Sequence, residues 1–420
     1  MSGLLKASGV ILFSLGLSAG AGASGTTTTT GKLKPHSAGT THTAAKATTH
    51  AASHTVAKST AAKAHATSHA VATTKVVAHG GARPALAVRR TRYHEHFSAS
   101  SFADNLTLGD VVEGEDPVVR EAAIKALGNM NGTAIAIDPS TGRILAMVNQ
   151  KLALSRGAEP CSTIKLTVAL AALEEGLVNK DTPVNLGGHF HMTMTDALAH
   201  SNNLYFETLG RQLGFERVKR YANEFGLGEL AGYHISGEQL GTYPEEELPA
   251  ALGGVGRMCS FGESVSMTPL QLGALVAAIA NGGTLYYLQH PESATDLAAF
   301  EPKVKRTLEI APLIPEISVG MQGAVQYGTA RSLRANFSEF PVMGKTGTCS
   351  NNGTRFGWFG SYADTPNGRI VTVFFLEGGR PTFGPKAAEL TGEFYRALWD
   401  KSYFLPKTTV AAEGAVGGVE

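Results

Sequence analysis

Residues 133–148 read TAIAIDPSTGRILAMV. Two runs rich in Ile, Val, Ala and Leu, Thr133–Ile137 and Arg143–Val148, flank Asp138-Pro139-Ser140-Thr141-Gly142. That centre is turn chemistry, so the stretch predicts a β-hairpin. Three further strand candidates stand near the other end of the chain: Pro341–Thr348, Phe356–Tyr362 and Arg369–Leu376. Asn351-Asn352-Gly353 and Pro366-Asn367-Gly368 join them, which suits antiparallel hairpins. The chain between is mainly helical. Ser162–Leu173 is apolar nearly all round, the mark of a buried central helix. Thr268-Pro269 caps and opens a helix over Leu270–Ala280 that stops at Asn281-Gly282-Gly283. Asp116–Leu127 and Pro385–Trp399 complete the pattern. Strands early and late with helices between predict an α+β (α/β) domain whose antiparallel sheet draws on both chain ends.

The chain has 420 residues, 43% hydrophobic and 17% charged, which is enough apolar material for a large core and excludes disorder throughout. A run of about 18 apolar residues is missing, so a multispanning membrane protein is excluded. The net charge of +1 conceals an asymmetry. Residues 26–94 hold ten Lys/Arg and no Asp or Glu; residues 95–420 hold 25 basic residues against all 35 acidic ones. Nine of the 14 histidines precede residue 100. Lys6, the short apolar Val10–Leu17 and the small residues that follow read as a signal over 1–23, cleaved or kept as a short anchor. Residues 24–97 are Ala/Thr/His/Lys repeats that bury too little to fold. They read as a basic linker, with anionic envelope polymers or lipid headgroups as candidate partners. Export argues against nucleic acid. Residues 98–130 form a short helical extension, 131–405 the main domain, and 406–420 a disordered tail.

Three short motifs carry chemistry. Ser162 and Lys165 share one face of the first turn of the buried helix. A serine hydroxyl needs a base, and a buried lysine of lowered pKa supplies one. The free N–H groups at the helix start, Ser162 included, suit a developing oxyanion. Ser201-Asn202-Asn203 follows about 40 residues on; Ser201 can relay a proton, and the Asn203 amide both donates and accepts. Ser350-Asn351-Asn352 matches the same pattern. Lys345-Thr346-Gly347-Thr348 lies in a strand candidate. Lys345 brings a fixed cation, Gly347 lets a ligand approach the backbone, and Thr348 offers a hydroxyl and a second oxyanion N–H.

The order and context of these motifs resemble the penicillin-binding proteins and serine β-lactamases. PCSTIKLTVALAALEEG (160–176), SNNLYFETLGRQLG (201–214), SVSMTPLQLGALVAAIANGG (264–283), GKTGT (344–348) and FGWFGSYA (356–363) look like a penicillin-binding transpeptidase domain in order. The resemblance implies a five-stranded antiparallel sheet with helices on both faces and an all-helical inserted subdomain. It implies a serine D,D-transpeptidase acting on D-Ala-D-Ala peptidoglycan stems outside the cytoplasm. Ser162 is then the nucleophile, Lys165 its base and Ser201 a proton shuttle. Asn203 orients the substrate amide, Lys345 and Thr348 face the terminal carboxylate, and Thr346 and Gly347 complete the binding strand. The N–H groups of Ser162 and Thr348 form the oxyanion hole. β-Lactams mimic the substrate; neither metal nor organic cofactor is implied.

The chain also departs from the family pattern. A glycosyltransferase domain has no room, the pedestal of large members is missing or reduced to 98–130, and the first two motifs stand close together. A class D-like serine β-lactamase is one alternative; no E-x-x-L-N segment follows Asn203, and Asn203 replaces the hydrophobic residue of class D. A non-catalytic β-lactam sensor is another. Cys161 precedes the nucleophile and Cys349 follows Thr348. They read as buried apolar thiols, or as a pair in an oxidising compartment; Cys259 is also undecided. His189, His191 and His200 read as loop residues, Glu245-Glu246-Glu247 as a solvated run, and Arg355 and Trp358 as cleft-rim candidates.

Overall fold

The computed structural model describes residues 96–405. The expected signal over 1–23, nearly all of the linker over 24–97 and the tail over 406–420 lie outside the described residues. Five strands form the main sheet: β1 (Gly132–Asp138), β2 (Arg143–Val148), β3 (Val342–Asn351), β4 (Thr354–Thr365) and β5 (Gly368–Gly378). Their order is β2-β1-β5-β4-β3, every neighbour antiparallel. The two chain ends meet where Gly132–Ile137 pairs with Val371–Leu376. Asn352 (φ 49°) and Gly353 (φ 74°) turn β3 into β4; two left-handed residues match the twist of the flanking strands.

Alternation along the strands buries both faces. Ile135, Ile137, Val371, Val373 and Phe375 pack on one side, and Ala134, Ala136, Ile370, Phe374 and Leu376 on the other. The first face carries the helical insertion: α2 (Lys165–Glu174), α3 (Met194–Ala199), α4 (Asn203–Leu213), α5 (Phe215–Glu224), α6 (Gly254–Phe261), α7 (Pro269–Asn281) and α8 (Ile314–Gln326). The second face is covered by α1 (Pro117–Leu127) and α9 (Gly384–Asp400). Every residue of Lys165–Leu173 is buried, as the all-round apolarity of α2 requires. The turn that leads into α2, Cys161–Ile164, is a tighter 3-10 turn rather than the α-helix expected from Ser162 onward. The insertion, expected to be all-helical, also holds two short antiparallel pairs, Val184–Asn185 with His191–Met192 and Thr284–Tyr286 with Val304–Thr307. Gly187 and Gly188, both at positive φ, permit the first reversal.

Caps fix the helix starts. Asp116 accepts from the N–H groups of Val118 and Val119, and Thr268 and Gln271 form a reciprocal capping box on α7. The extension before β1 is wedged into the domain. The Ser98 N–H donates to the Gly353 carbonyl (2.9 Å), and the Gly379 N–H to Ser101 Oγ (2.7 Å). Arg120 pairs with Asp110 (2.7 Å) and Glu115 (2.8 Å), and Glu115 also meets His290 Nε2 (3.0 Å) and the Met147 N–H (2.9 Å). Among the described residues, no helix is long and apolar enough to cross a membrane.

Candidate active site

The 3-10 turn, the loop between α3 and α4, and strand β3 bring the three motifs together. Lys165, first residue of α2, has no exposed surface. Its Nζ lies 2.9 Å from Ser162 Oγ, 2.9 Å from the Ser201 carbonyl, 3.1 Å from Ser201 Oγ and 2.6 Å from Asn203 Oδ1. Ser201 (φ 55°) stands in the left-handed region, which turns both its carbonyl and its hydroxyl toward one amine. Asn202 caps α4 through the Tyr205 N–H and so holds Asn203 at the first helical position. From β3, Lys345 Nζ donates to Ser201 Oγ (2.8 Å) and to the Thr346 carbonyl (3.0 Å). One hydroxyl, that of Ser201, thus sits between two buried amines.

Electrostatics follow from burial. All hydrogen-bond partners of the two amines are neutral oxygens. Burial, then the neighbouring Lys345 charge, holds Lys165 well below its ordinary value, with Glu207 opposing weakly. Burial lowers Lys345 to about 7. A neutral Lys165 accounts for the three shortest of its four contacts. Its two N–H groups donate to the acceptor-only Ser201 carbonyl and Asn203 Oδ1, and its lone pair accepts from the Ser162 hydroxyl.

The remaining motif residues are placed by packing. A Cβ on Gly347 would stand 2.9 Å from the Pro160 carbonyl and 3.2 Å from Thr163 Cγ2. The close approach expected to serve a ligand is thus made by the turn that bears Ser162. The Thr346 hydroxyl donates to Thr329 Oγ1 (2.7 Å). Thr348 Oγ1 accepts from the Gly384 N–H at the start of α9 (2.8 Å), which leaves its O–H free to donate. Cys161 and Cys349 form a disulfide with Cα atoms 5.5 Å apart, so the first reading of two buried thiols is replaced by the pairing alternative. Cys259 is a buried free thiol. Cys161 (φ 51°) is strained, and its disulfide ties the turn bearing Ser162 to the residue after Thr348.

Sequence reasoning missed Thr329 and Glu159. Thr329 is a lone residue in a loop, with no motif to mark it. Glu159 stands three residues before Ser162, and its carbonyl accepts from Trp358 Nε1 (3.1 Å). Trp358 is not at the rim: it is fully buried and stacks on Phe375 at 3.9 Å. Arg355 does line a cleft beside Thr348. Asn351 lines the same cleft, so the second S-x-N match does not join Lys165. His189, His191 and His200 are exposed, as are Glu245 and Glu246, while Glu247 accepts from the Val255 N–H. A cleft of about 800 Å³ at Asp138, Asn281, Arg369 and Phe404 holds none of the motif residues.

Comparison with known proteins gives a consistent result. The family described as "Penicillin binding protein transpeptidase domain" matches residues 132–396. Stage V sporulation protein D of Bacillus subtilis (strain 168) is 30% identical over 258 residues, 51% of this chain and 39% of that protein. Peptidoglycan D,D-transpeptidase FtsI of Escherichia coli (strain K12) is 23% identical over 340 residues, 72% of this chain and 54% of that protein. The chain spans about half the length of the curated relatives it matches. The crystal structure of Pseudomonas aeruginosa PBP2 in complex with WCK 5153 superposes with a TM-score of 0.56 at 23% identity, covering 71% of this chain and 79% of that one. That likeness establishes the shared fold.

Proposed function

Because the chain belongs to the penicillin-binding protein transpeptidase family, we propose that it is a serine D,D-transpeptidase acting on peptidoglycan stem peptides ending in D-Ala-D-Ala. The observation that carries this reading is the contact of Lys165 Nζ with Ser162 Oγ, with the Ser201 hydroxyl held between Lys165 and Lys345.

The chemistry follows from those contacts. Lys165 takes the Ser162 proton as Oγ attacks the carbonyl of the penultimate D-alanine. The N–H groups of Ser162 and Thr348 receive the oxyanion. The amide bond then breaks; the leaving D-alanine nitrogen gains a proton through Ser201, and an ester to Ser162 remains. An acceptor amine attacks that ester, its proton returns by the same route, and Ser162 is regenerated with a new peptide bond. Asn203 orients the donor amide. Lys345, with the Thr348 hydroxyl, holds the terminal carboxylate of the donor. A β-lactam acylates Ser162 in the same way. The reaction takes place outside the cytoplasm after export by the signal segment, with the basic arm directed at anionic envelope polymers or lipid headgroups.

Mass spectrometry after incubation with penicillin tests this. A stable adduct on the peptide containing Ser162, lost in Ser162→Ala, and D-alanine release from a D-Ala-D-Ala donor are expected. Rapid nitrocefin turnover without a lasting adduct would favour a β-lactamase. A stable adduct without donor turnover would favour a sensor.

A further inference from the structure

A cleft of about 400 Å³ opens at the far edge of the main sheet from the motif site. Gln289 in its wall pairs with Arg143 at the start of β2, and β2 and β3 are the two ends of the strand order. Strand spacing alone separates it from the strand bearing Lys345 by roughly 20 Å. The chemistry at Ser162 uses none of its residues, yet its wall is firmly built. Tyr233 donates its N–H to the Leu288 carbonyl (2.8 Å), and the Leu288 N–H donates to the Ala231 carbonyl (2.8 Å). The Glu238 carboxylate accepts from the N–H groups of Ala231 (2.9 Å) and Gly232 (3.0 Å). His234 (φ 54°) is held in the left-handed region, a strained conformation for a residue with a side chain, and its ring stands edge-on to Tyr233 with centroids 4.2 Å apart. This backbone pins the Tyr233 side chain in place with 39% of the residue exposed.

The polar lining is rich in acceptors. His290 lines the cleft and is only 9% exposed. Its Nε2 lies 3.0 Å from Glu115 Oε1, an oxygen of the carboxylate that pairs with Arg120. A carboxylate oxygen can only accept, so the neutral ring carries its hydrogen on Nε2. Nδ1 makes no hydrogen bond among the described residues and is left as an acceptor. Glu292 and Asp296 add two exposed carboxylates, which solvent satisfies without a counter-ion. An exposed aromatic ring beside several acceptors suits either an organic cation or a sugar. In a sugar, C–H groups pack on the electron-rich ring face while the hydroxyls donate to the acceptors. The place of a cation on this ring is already taken: Lys303 Nζ stands 4.8 Å over the Tyr233 ring, and Lys305 Nζ 5.2 Å over the neighbouring ring of Tyr287. A second cation would meet like charge there, and a neutral hydroxyl-rich ring would not. We infer that this cleft binds a neutral glycan segment, with a pyranose ring stacked on Tyr233 and its hydroxyls donating to His290 Nδ1, Glu292 and Asp296. Taking that glycan to be the strand that carries the stem peptides rests on the transpeptidase reading above. The cleft then grips the polymer at one edge of the domain while its stems are joined at the other.

Titration calorimetry of the full chain with a soluble β-1,4-linked N-acetylglucosamine oligomer tests the assignment. The wild type should bind it. Tyr233→Phe, which keeps the ring, should bind nearly as well, and Tyr233→Ala should lose about tenfold or more, the usual weight of an aromatic anchor. Glu292→Ala combined with Asp296→Ala should also weaken binding. Fluorescent-penicillin labelling of Ser162 should be the same in every variant, which shows that each is folded. The same oligomer stripped of its acetyl groups carries ammonium charges and should bind no tighter. A wild type that labels normally but does not bind the acetylated oligomer overturns the assignment, as does an affinity unchanged in Tyr233→Ala. Tighter binding of the deacetylated oligomer makes the cleft a cation site and overturns it as well. Oligomer binding that depends on Tyr233 in a protein that penicillin does not label supports the cleft and strikes at the acyl-transfer reading alone.

Discussion

Cys349→Ala removes the covalent tie between the turn bearing Ser162 and the strand bearing Thr348. The tie closes a loop between residues 188 apart in sequence. In the chain-entropy description, closing so long a loop in the unfolded state is worth about 5 kcal/mol at 25 °C. Strain at Cys161, whose φ of 51° is left-handed, returns about 1–3 kcal/mol of that when the constraint is released. The expected net loss is about 2–4 kcal/mol. With about 310 described residues and roughly 2.1 cal/mol/K of unfolding entropy for each, that lowers Tm by about 3–6 °C. Acylation should fall too, because the two tied cysteines adjoin Ser162 and Thr348, whose N–H groups form the proposed oxyanion hole. Complete loss of one such donor costs about 10²–10³ in rate, so loosening both should cost on the order of tenfold. Thermal unfolding and fluorescent-penicillin acylation rates, measured with and without reductant on wild type, Cys349→Ala and the control Cys259→Ala, read both effects. Reductant should move the wild type and the control toward Cys349→Ala and leave that variant unaltered. If oxidised wild type carries three titratable thiols, or reductant changes neither Tm nor rate, the reasoning fails.

Other expectations concern the site and its supports. The lowered pKa of Lys345 means that between about pH 7 and 10 the unfolded chain binds more protons than the folded one, so this group makes stability rise with pH. Urea unfolding at several pH values should show a shallower rise in Lys345→Met; parallel profiles would refute the shift. Gly347→Ala places a methyl 2.9 Å from the Pro160 carbonyl and should cost about 1–3 kcal/mol by overpacking, together with slower acylation, read by calorimetry and labelling. Arg120→Ala strands the buried Asp110 and Glu115 and should cost about 3–5 kcal/mol in denaturant unfolding. The Ser162 labelling rate of the protein that remains folded should stay at the wild-type value.

Much of this arrangement is legible in the sequence because its parts are local. The turn residues after Asp138 and at Asn352-Gly353, the caps at Asp116 and Thr268, and the all-round apolarity of α2 are short-range signals. The chain order of the three motifs carried the rest of the site, since Ser162 and Lys165 share a helical turn and Ser201 and Asn203 flank a cap. What escaped depends on contacts distant in sequence. Nothing near Thr329 announces that Thr346, 17 residues on, will donate to it. A cysteine on each of two motifs suggests proximity, but the spacing alone cannot choose between two thiols and a disulfide. Trp358 looked accessible because its strand borders the site; strand alternation instead places it against Phe375 in the core. The 3-10 entry to α2 and the Gly347–Pro160 contact are products of packing, which a reading of periodicity does not see.

The opening segment has a practical consequence. The family match begins at residue 132, yet the backbone from Phe97 to Ser101 is laced to the far ends of two sheet hairpins, and the Phe97 ring lies under Arg355. A protein trimmed to the homology boundary would lose the segment packed under Arg355, along with α1. The folded unit is better cut before residue 96, and a purification tag fused close to that point would sit beside Arg355 and the cleft it lines.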